Sequence, residues 1–579
     1  MRSFHYHILC LISLVLTGAI TSSCNKTSSV EFRIIHTTDM HGNVFPKNFI
    51  NNEEGTGSLA RLSSMMKEVR RENRNVLLLD GGDILQGEPT AYYYNYIDTV
   101  APHLMASAMN YVKYDAACIG NHDIEPGHEI YDRWVKECNF PVLGANVISL
   151  KSSERKPYFP PYKTFDFNGV KVAVVGMVTP AIPEWVPQKM WTGLEFEDII
   201  KSAKHWIPLI RKEVKPDILV ALLHTGLKNT DTHYLENAGE TLAKEVSGID
   251  IMLLGHDHQK DMRWLKNSNG DSVLLMNPAN HVDFASDIKI QIKKKGDKII
   301  EKHITAGFAD LNAFDPDTAF MSKFITQEAA VTQFLGKKVG ELKKTVYGKD
   351  ALFGASGYLS VIHNMQLESG KADISLAAPL SLSAKVEAGD IYVRDLFKFC
   401  PFSNFLYVMD MTGQEIKDYL EYSYGLWTNE MKSAQDHLLL FRPDAKKEDK
   451  YKTQNPTFNF SAAQGIDYIV DVSKPVGERV TIHKMSDGKP FESAKHYRVA
   501  LNSYRGGGGG GHMTDGAKIP REALSSRVLE TSSYDEMYLL MKYFESKGTI
   551  DPVNPANWLF VPKAWVSAAI KKDATFMDL

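Results

Sequence analysis

Five short apolar runs in the first half of the chain end in residues able to hold a metal ion. Ile34–Thr38 leads into Asp39-Met40-His41-Gly42, and Leu77–Leu79 into Asp80-Gly81-Gly82-Asp83. Ala117–Ile119 leads into Gly120-Asn121-His122-Asp123, Ala221–Leu223 into His224-Thr225-Gly226, and Met252–Leu254 into Gly255-His256-Asp257-His258. One Asp or His after a strand is ordinarily a cap or a turn residue. Five such endings in one region, each near a glycine, are more than turns require. Together they offer carboxylates, imidazoles and an amide, a mixed set that suits Zn²⁺, Mn²⁺, Co²⁺ or Fe²⁺ better than Ca²⁺. Two such cations about 3.5–4 Å apart clamp a phosphoryl group and activate a water near neutral pH.

The elements that must position these residues follow from the pattern around them. Apolar, β-branched runs at Phe32–Thr37, Val76–Leu79, Ala116–Ile119, Val142–Ala145, Val170–Val178, Ile218–Leu223, Ile251–Leu254 and Val273–Met276 read as strands. Helical periodicity intervenes at Leu59–Glu72, His128–Glu137 and Ile199–Val214. Alternation of this kind predicts an α/β domain built on layered sheet, over residues 31–310. In such sheets ligands gather at the carboxyl ends of the strands, where the five endings fall. Ile288–Lys294 and Ile299–Ile304, around Gly296-Asp297, predict a closing hairpin. Residues 311–337 read as a connector helix, polar from Pro316 to Leu335 and a candidate hinge, and 338–579 as a second mixed α/β domain.

Composition narrows the classes. The chain has 579 residues, enough for two to four domains with proper cores. Hydrophobic content of 44% excludes a mostly disordered chain. A formal charge of −4 argues against a nucleic-acid polymer as partner through bulk phosphate contacts. Of 19 histidines, 14 lie at or before His303, so metal or acid–base chemistry belongs to the first half.

The N-terminus carries an address. Arg2 precedes an apolar run from Ile8 to Ile20, the length of a signal-peptide core. Thr21-Ser22-Ser23-Cys24 then resembles a bacterial lipoprotein signal, although Thr21 departs from the usual aliphatic residue. The reading is a signal peptide over 1–23, a lipid anchor on Cys24, a tether over 24–30, and an exported protein facing the periplasm or the cell surface. Plain secretion is the alternative. No other apolar stretch approaches the roughly 20 residues a spanning helix needs. Five cysteines are too few and scattered for a disulfide framework, and whether Cys118 and Cys138 pair is open.

In their order, the Asp-x-His, Gly-Asp, Gly-Asn-His, His and Gly-His-x-His endings resemble the calcineurin-like metallophosphoesterases over nearly the whole N-terminal domain. The resemblance implies a layered β-sandwich with flanking helices around two divalent metal ions. It implies that Asp83 bridges them, that Asp39, His41 and His258 complete one, and that Asn121, His224 and His256 complete the other. His122 would then stabilise the transition state and assist the leaving oxygen, oriented by Glu125, where relatives often have Asp. Asp123 reads as a turn residue and His36 as a strand residue, with Asn280 and His281 as supporting neighbours of the ligands.

The C-terminal half resembles the nucleotide-binding domain of the 5′-nucleotidase and cyclic-nucleotide phosphodiesterase family. The resemblance rests on Ala372–Pro379, Pro401-Phe402-Ser403-Asn404, Thr412-Gly413 and Leu501-Asn502-Ser503-Tyr504-Arg505 before six glycines, Gly506–Gly511. It implies a nucleobase sandwiched by two aromatics, here Phe458, with Phe460 as its rival, and Tyr504. Arg505 either contacts substrate or caps the glycine loop, and the glycines read as backbone that approaches a ligand closely. Relatives that are 5′-nucleotidases carry phosphate-clamping arginines where this chain has Ala377-Ala378-Pro379-Leu380-Ser381-Leu382-Ser383. That departure favours the 2′,3′-cyclic-nucleotide 2′-phosphodiesterase/3′-nucleotidase branch. A 5′-nucleotidase and a non-catalytic metal-containing nucleotide-binding protein stay open as alternatives.

Overall fold

The computed structural model describes residues 27–151, 153–229, 235–447, 449 and 452–579. The signal peptide and Cys24 lie outside the described residues.

The N-terminal domain is a β-sandwich of two six-stranded sheets. In the first, Thr27–Thr37 runs parallel to Val76–Asp80, which continues through Ala116–Cys118 to Val142–Leu143. In the second, Ile218–His224 lies parallel between Val170–Val178 and Ile251–Leu254, with Ser272–Pro278 beyond. The alternation of side chains along each strand explains why these runs are apolar throughout. Ile218, Val220 and Leu222 face the other sheet, against Phe32, Ile34, Leu77 and Leu79. Leu219, Ala221 and Leu223 face outward onto Ala203, Ile207 and Ile210 of the helix Ile199–Glu213. Both faces of the strand are therefore buried, and nothing in it is left to alternate.

The closing hairpin is Phe284–Lys295 against Lys298–Asp310, longer than the expected runs because its first strand continues along the full length of Thr27–Thr37. The connector corrects the single helix read from sequence. It is two helices, Thr318–Lys323 and Ile325–Leu335, separated where Phe324 leaves helical geometry (φ −106°, ψ 15°).

The C-terminal domain is mixed α/β, centred on a five-stranded sheet whose middle strand is His496–Asn502. The helix Gly413–Trp427 starts at a reciprocal cap. Thr412 Oγ1 accepts from the Glu415 amide at 3.2 Å, and Glu415 Oε2 accepts from the Thr412 amide at 2.7 Å. It buries Ile416, Tyr419, Leu420, Tyr424 and Trp427, spaced to share one face. Cys118, Cys138 and Cys400 are free thiols. Among the described residues no helix is long and apolar enough to cross a membrane.

Candidate metal centre and substrate cleft

The parallel register carries the strand endings to one edge of the sandwich. Thr37 pairs with Asp80 and Leu223 with Leu254, so the loops that follow leave at matching heights. They bring the chemistry-bearing residues into two groups, Asp39 with His41 and His258, and Asp83 with His224 and His256. In each, one ligand atom per residue lies within 4.8 Å of the others. Asn121 presents Oδ1 3.0 Å from His224 Nε2, beside the second group, where Asp83 Oδ2 stands 3.1 Å from the same nitrogen.

These residues suit divalent cations on the evidence of their own hydrogen bonds. His41 Nδ1 lies 2.7 Å from the Gln86 carbonyl and His224 Nδ1 2.8 Å from the Gly81 carbonyl. Each contact makes Nδ1 a donor and leaves Nε2 as the nitrogen that faces the cluster, available to an ion once its proton is given up. His41 Nε2 and His258 Nε2 approach to 3.0 Å, with Asp39 Oδ1 3.3 Å from the latter. Burial alone would raise the Asp39 carboxyl, but the His258 hydrogen bond and the charges of His224 and His258 hold it below its usual range. Burial drives His41 down to about 3, so it stands neutral, as a ligand must.

Five of the seven candidate ligands hold left-handed backbone. Their φ angles are 49° at Asp39, 48° at His41, 59° at Asp83, 76° at His256 and 56° at His258. Such strain at non-glycine residues persists only where the surroundings enforce it, and it concentrates at functional sites. Asp123 is a principal enforcer. Read from sequence as a turn residue, it is fully buried and accepts four backbone N–H groups. Oδ2 takes those of Asp83 (3.0 Å) and Gly120 (2.8 Å), and Oδ1 those of Ile84 (2.7 Å) and Leu85 (2.9 Å). One carboxylate thus ties the Asp83 loop to the Asn121–His122 loop. Burial and the nearby Asp83 charge push Asp123 up to about 6 despite those bonds.

His122 opens the short helix Asn121–Ile124 and lines the cleft. Its Nδ1 lies 2.8 Å from Glu125 Oε2 and its Nε2 3.9 Å from Asp83 Oδ2. Burial opposes a charged ring, yet Glu125 and Asp83 outweigh it and push His122 up to about 10. Asn280 brings its amide 3.2 Å from His258 Nδ1, and the His281 ring lies 5.7 Å from that of His41. His36 is a buried strand residue whose Nδ1 is 3.4 Å from Ser286 Oγ.

A cleft of about 800 Å³ runs from this centre to the C-terminal domain, lined by His122, Glu125, His256 and His258 at one end and by Phe458, Tyr504 and the glycine loop at the other. Phe460 is fully buried, stacked on Trp427 at 5.4 Å and 4°, whereas Phe458 is 38% exposed. The choice between them falls to Phe458. Its ring meets that of Tyr504 edge to face, 6.3 Å between centroids and 85° between planes. This is not the parallel sandwich expected, and a base enters between the rings only if one of them turns.

Arg505 is held by the protein itself. It is 4% exposed, and its guanidinium is committed to the protein, to Gly509 O at 2.5 Å, Phe458 O at 2.9 Å and Asn459 Oδ1 at 3.2 Å. It clasps the glycine loop to the turn that carries Phe458. The same packing explains the glycines. A Cβ on Gly509 would meet the Tyr504 ring at 2.6 Å, and one on Gly510 the Arg505 guanidinium at 2.3 Å. The chain's own side chains impose these close approaches, while Gly508, Gly510 and Gly511 also line the cleft.

Sequence reasoning missed three residues of this cleft. Trp185 stacks on His256 at 5.6 Å and 23°, Glu236 Oε1 lies 3.0 Å from His256 Nε2, and Arg521 of the C-terminal domain ion-pairs with Glu184 of the N-terminal domain. Trp185 and Glu236 sit in irregular segments and Arg521 opens the short 3-10 helix Arg521–Ala523, none with a motif around it.

Comparison with known proteins accords with this architecture. The calcineurin-like phosphoesterase family matches residues 32–260, and the 5′-nucleotidase C-terminal domain family matches 338–516. A Bacillus subtilis relative, the trifunctional nucleotide phosphoesterase protein YfkN, is 26% identical over 95% of this chain, which spans 40% of that protein's length. A Yersinia enterocolitica 2′,3′-cyclic-nucleotide 2′-phosphodiesterase/3′-nucleotidase is 23% identical, over 93% of this chain and 89% of its own. The crystal structure of a Staphylococcus aureus protein in complex with alpha-ketoglutarate superposes with a TM-score of 0.75 at 19% identity, covering 92% of this chain and 99% of that one.

Proposed function

We propose that the chain is a metal-dependent nucleotide phosphoesterase of the 5′-nucleotidase family, and within it an exported 2′,3′-cyclic-nucleotide 2′-phosphodiesterase with 3′-nucleotidase activity. The observation that carries the reading is the single cleft joining both ligand groups and His122 to Phe458 and Tyr504.

Asp39, His41 and His258 would hold one divalent ion and Asn121, His224 and His256 the other, with Asp83 between them. Bound there, the ions supply Lewis-acid stabilisation of the phosphoryl group and activation of the attacking water. The chain's own residues do the rest. Phe458 and Tyr504 hold the base, which sets the ribose phosphate at the ligand edge. His122, held by Glu125, donates to the phosphoryl oxygens as charge builds on them and protonates the ribose 2′-oxygen as its bond to phosphorus breaks. Water adds to phosphorus and the 3′-monophosphate results. A second hydrolysis, with the proton delivered to the 3′-oxygen, releases nucleoside and phosphate.

The arginine-free segment Ala377–Ser383 supports the cyclic-nucleotide branch. The 5′-nucleotidase description of the C-terminal family supports the second reading, 5′-monophosphate hydrolysis. Release of phosphate from 5′-AMP faster than turnover of 2′,3′-cyclic AMP would select that second reading. Export through residues 1–23, with a lipid on Cys24, places the enzyme at the periplasm or cell surface as a scavenger. Labelling with a radioactive fatty acid, lost in Cys24→Ala, tests the anchor.

A further inference from the structure

His256 is held from three sides. Its backbone N–H donates to the Asp39 carboxylate at 3.0 and 3.1 Å, Trp185 covers one face of its ring, and Glu236 Oε1 lies 3.0 Å from Nε2. Glu236 and Asn237 are bonded to the loop that follows the strand Ile218–His224. Gly226 N–H donates to Asn237 Oδ1 at 2.8 Å, the Glu236 N–H to Asn229 Oδ1 at 2.9 Å, and Thr225 Oγ1 to the Glu236 carbonyl at 3.0 Å. A Cβ on Gly226 would meet Asn237 Oδ1 at 2.3 Å, so this loop position must be glycine for the knot to close. With its backbone donor and acceptor both engaged, Glu236 presents its carboxylate to His256.

We infer that Glu236 is a positioning residue for the second metal ion, acting through the His256 ring. Its carboxylate accepts the Nε2 proton, so the tautomer it selects leaves the lone pair on Nδ1, the other nitrogen, for the ion. His41 and His224 are held in the opposite tautomer by backbone carbonyls on Nδ1, whereas the contact on His256 is a side-chain carboxylate on Nε2. Trp185 fixes the plane of the ring, and Glu236 selects which nitrogen faces the ion. The inference rests on the proposed dimetal centre and goes beyond it in assigning a role to a residue outside the ligand set.

The test is calorimetric titration of Mn²⁺ into metal-free protein, with wild type, Glu236→Gln and Glu236→Ala compared. Wild type should bind two ions. Glu236→Ala should lose about 10–100-fold in affinity for one ion and leave the other unchanged. Glu236→Gln should lose clearly less, because its amide oxygen still accepts the Nε2 proton. Thermal melting of the metal-free proteins should coincide, which separates positioning from a role in holding the loop. Unchanged affinity in Glu236→Ala overturns the inference. So does equal loss in Glu236→Gln and Glu236→Ala, which would make the carboxylate a direct ligand. A wild-type chain binding fewer than two ions would overturn the dimetal reading itself, and the inference with it.

Discussion

Asp123→Asn changes one oxygen to an amide nitrogen without changing shape, and the structure fixes what that costs. Each carboxylate oxygen of Asp123 accepts two backbone N–H groups, from Asp83 and Gly120 on one side and Ile84 and Leu85 on the other. Whichever oxygen is replaced, two buried N–H groups face an NH₂ and lose their acceptor. An unsatisfied buried donor costs about 1–3 kcal/mol, so the substitution should destabilise the N-terminal domain by about 2–6 kcal/mol. At about 2–4 °C per kcal/mol for a domain of this size, its melting transition should fall by roughly 5–20 °C in calorimetry. Asp83 and Asn121 are carried by the two loops this carboxylate joins, so metal affinity should fall in the surviving folded protein. A transition within about 2 °C of wild type, with metal binding intact, would refute the view that Asp123 holds the centre together.

Other outcomes separate the roles assigned to the site. Asp83→Ala should abolish metal binding and turnover together, whereas His122→Ala should keep its metals and lose about 10²–10⁴-fold in kcat, read by metal analysis beside steady-state kinetics. Phe458→Ala should raise KM for nucleotides by roughly 5–150-fold, the loss of about 1–3 kcal/mol of stacking, and leave hydrolysis of a small aryl phosphate nearly unchanged. Arg505→Lys cannot reproduce the planar fork that reaches Gly509, Phe458 and Asn459. It should lower the melting temperature of the C-terminal domain and raise KM without altering metal content.

Much of the architecture was legible because it rests on periodicity. The strands Val170–Val178 and Ile251–Leu254 and the helices Leu59–Glu72 and His128–Glu137 span the residues that sequence indicates. In each, an apolar run or an amphipathic stripe is cut off sharply by polar or glycine residues. The break at Phe324 was not legible, since an isolated phenylalanine within a helical pattern carries no stop signal. The strand-end residues identified the metal groups, but their left-handed backbone could not be read. Such strain at Asp and His is imposed by neighbours such as Asp123, which in sequence looks like one more turn residue. In the second domain, Thr457-Phe458-Asn459-Phe460 offers two equivalent rings, and only Trp427, distant in sequence, decides that Phe460 is core. Arg505 beside six glycines resembled a ligand contact because sequence shows the guanidinium and not the carbonyls that occupy it. Glu236 and Trp185 converge on His256 from separate loops, a conjunction that exists only in three dimensions.

The most direct test supplies purified protein with Mn²⁺ or Zn²⁺ and compares kcat/KM for 2′,3′-cyclic AMP, 3′-AMP and 5′-AMP. The account predicts that 2′,3′-cyclic AMP is opened to 3′-AMP and then dephosphorylated, with 5′-AMP the poorest substrate, and that chelation stops both steps until metal is restored. Preference for 5′-AMP would contradict the assignment to cyclic nucleotides. No turnover of any of the three by metal-loaded protein would contradict the enzymatic reading as a whole.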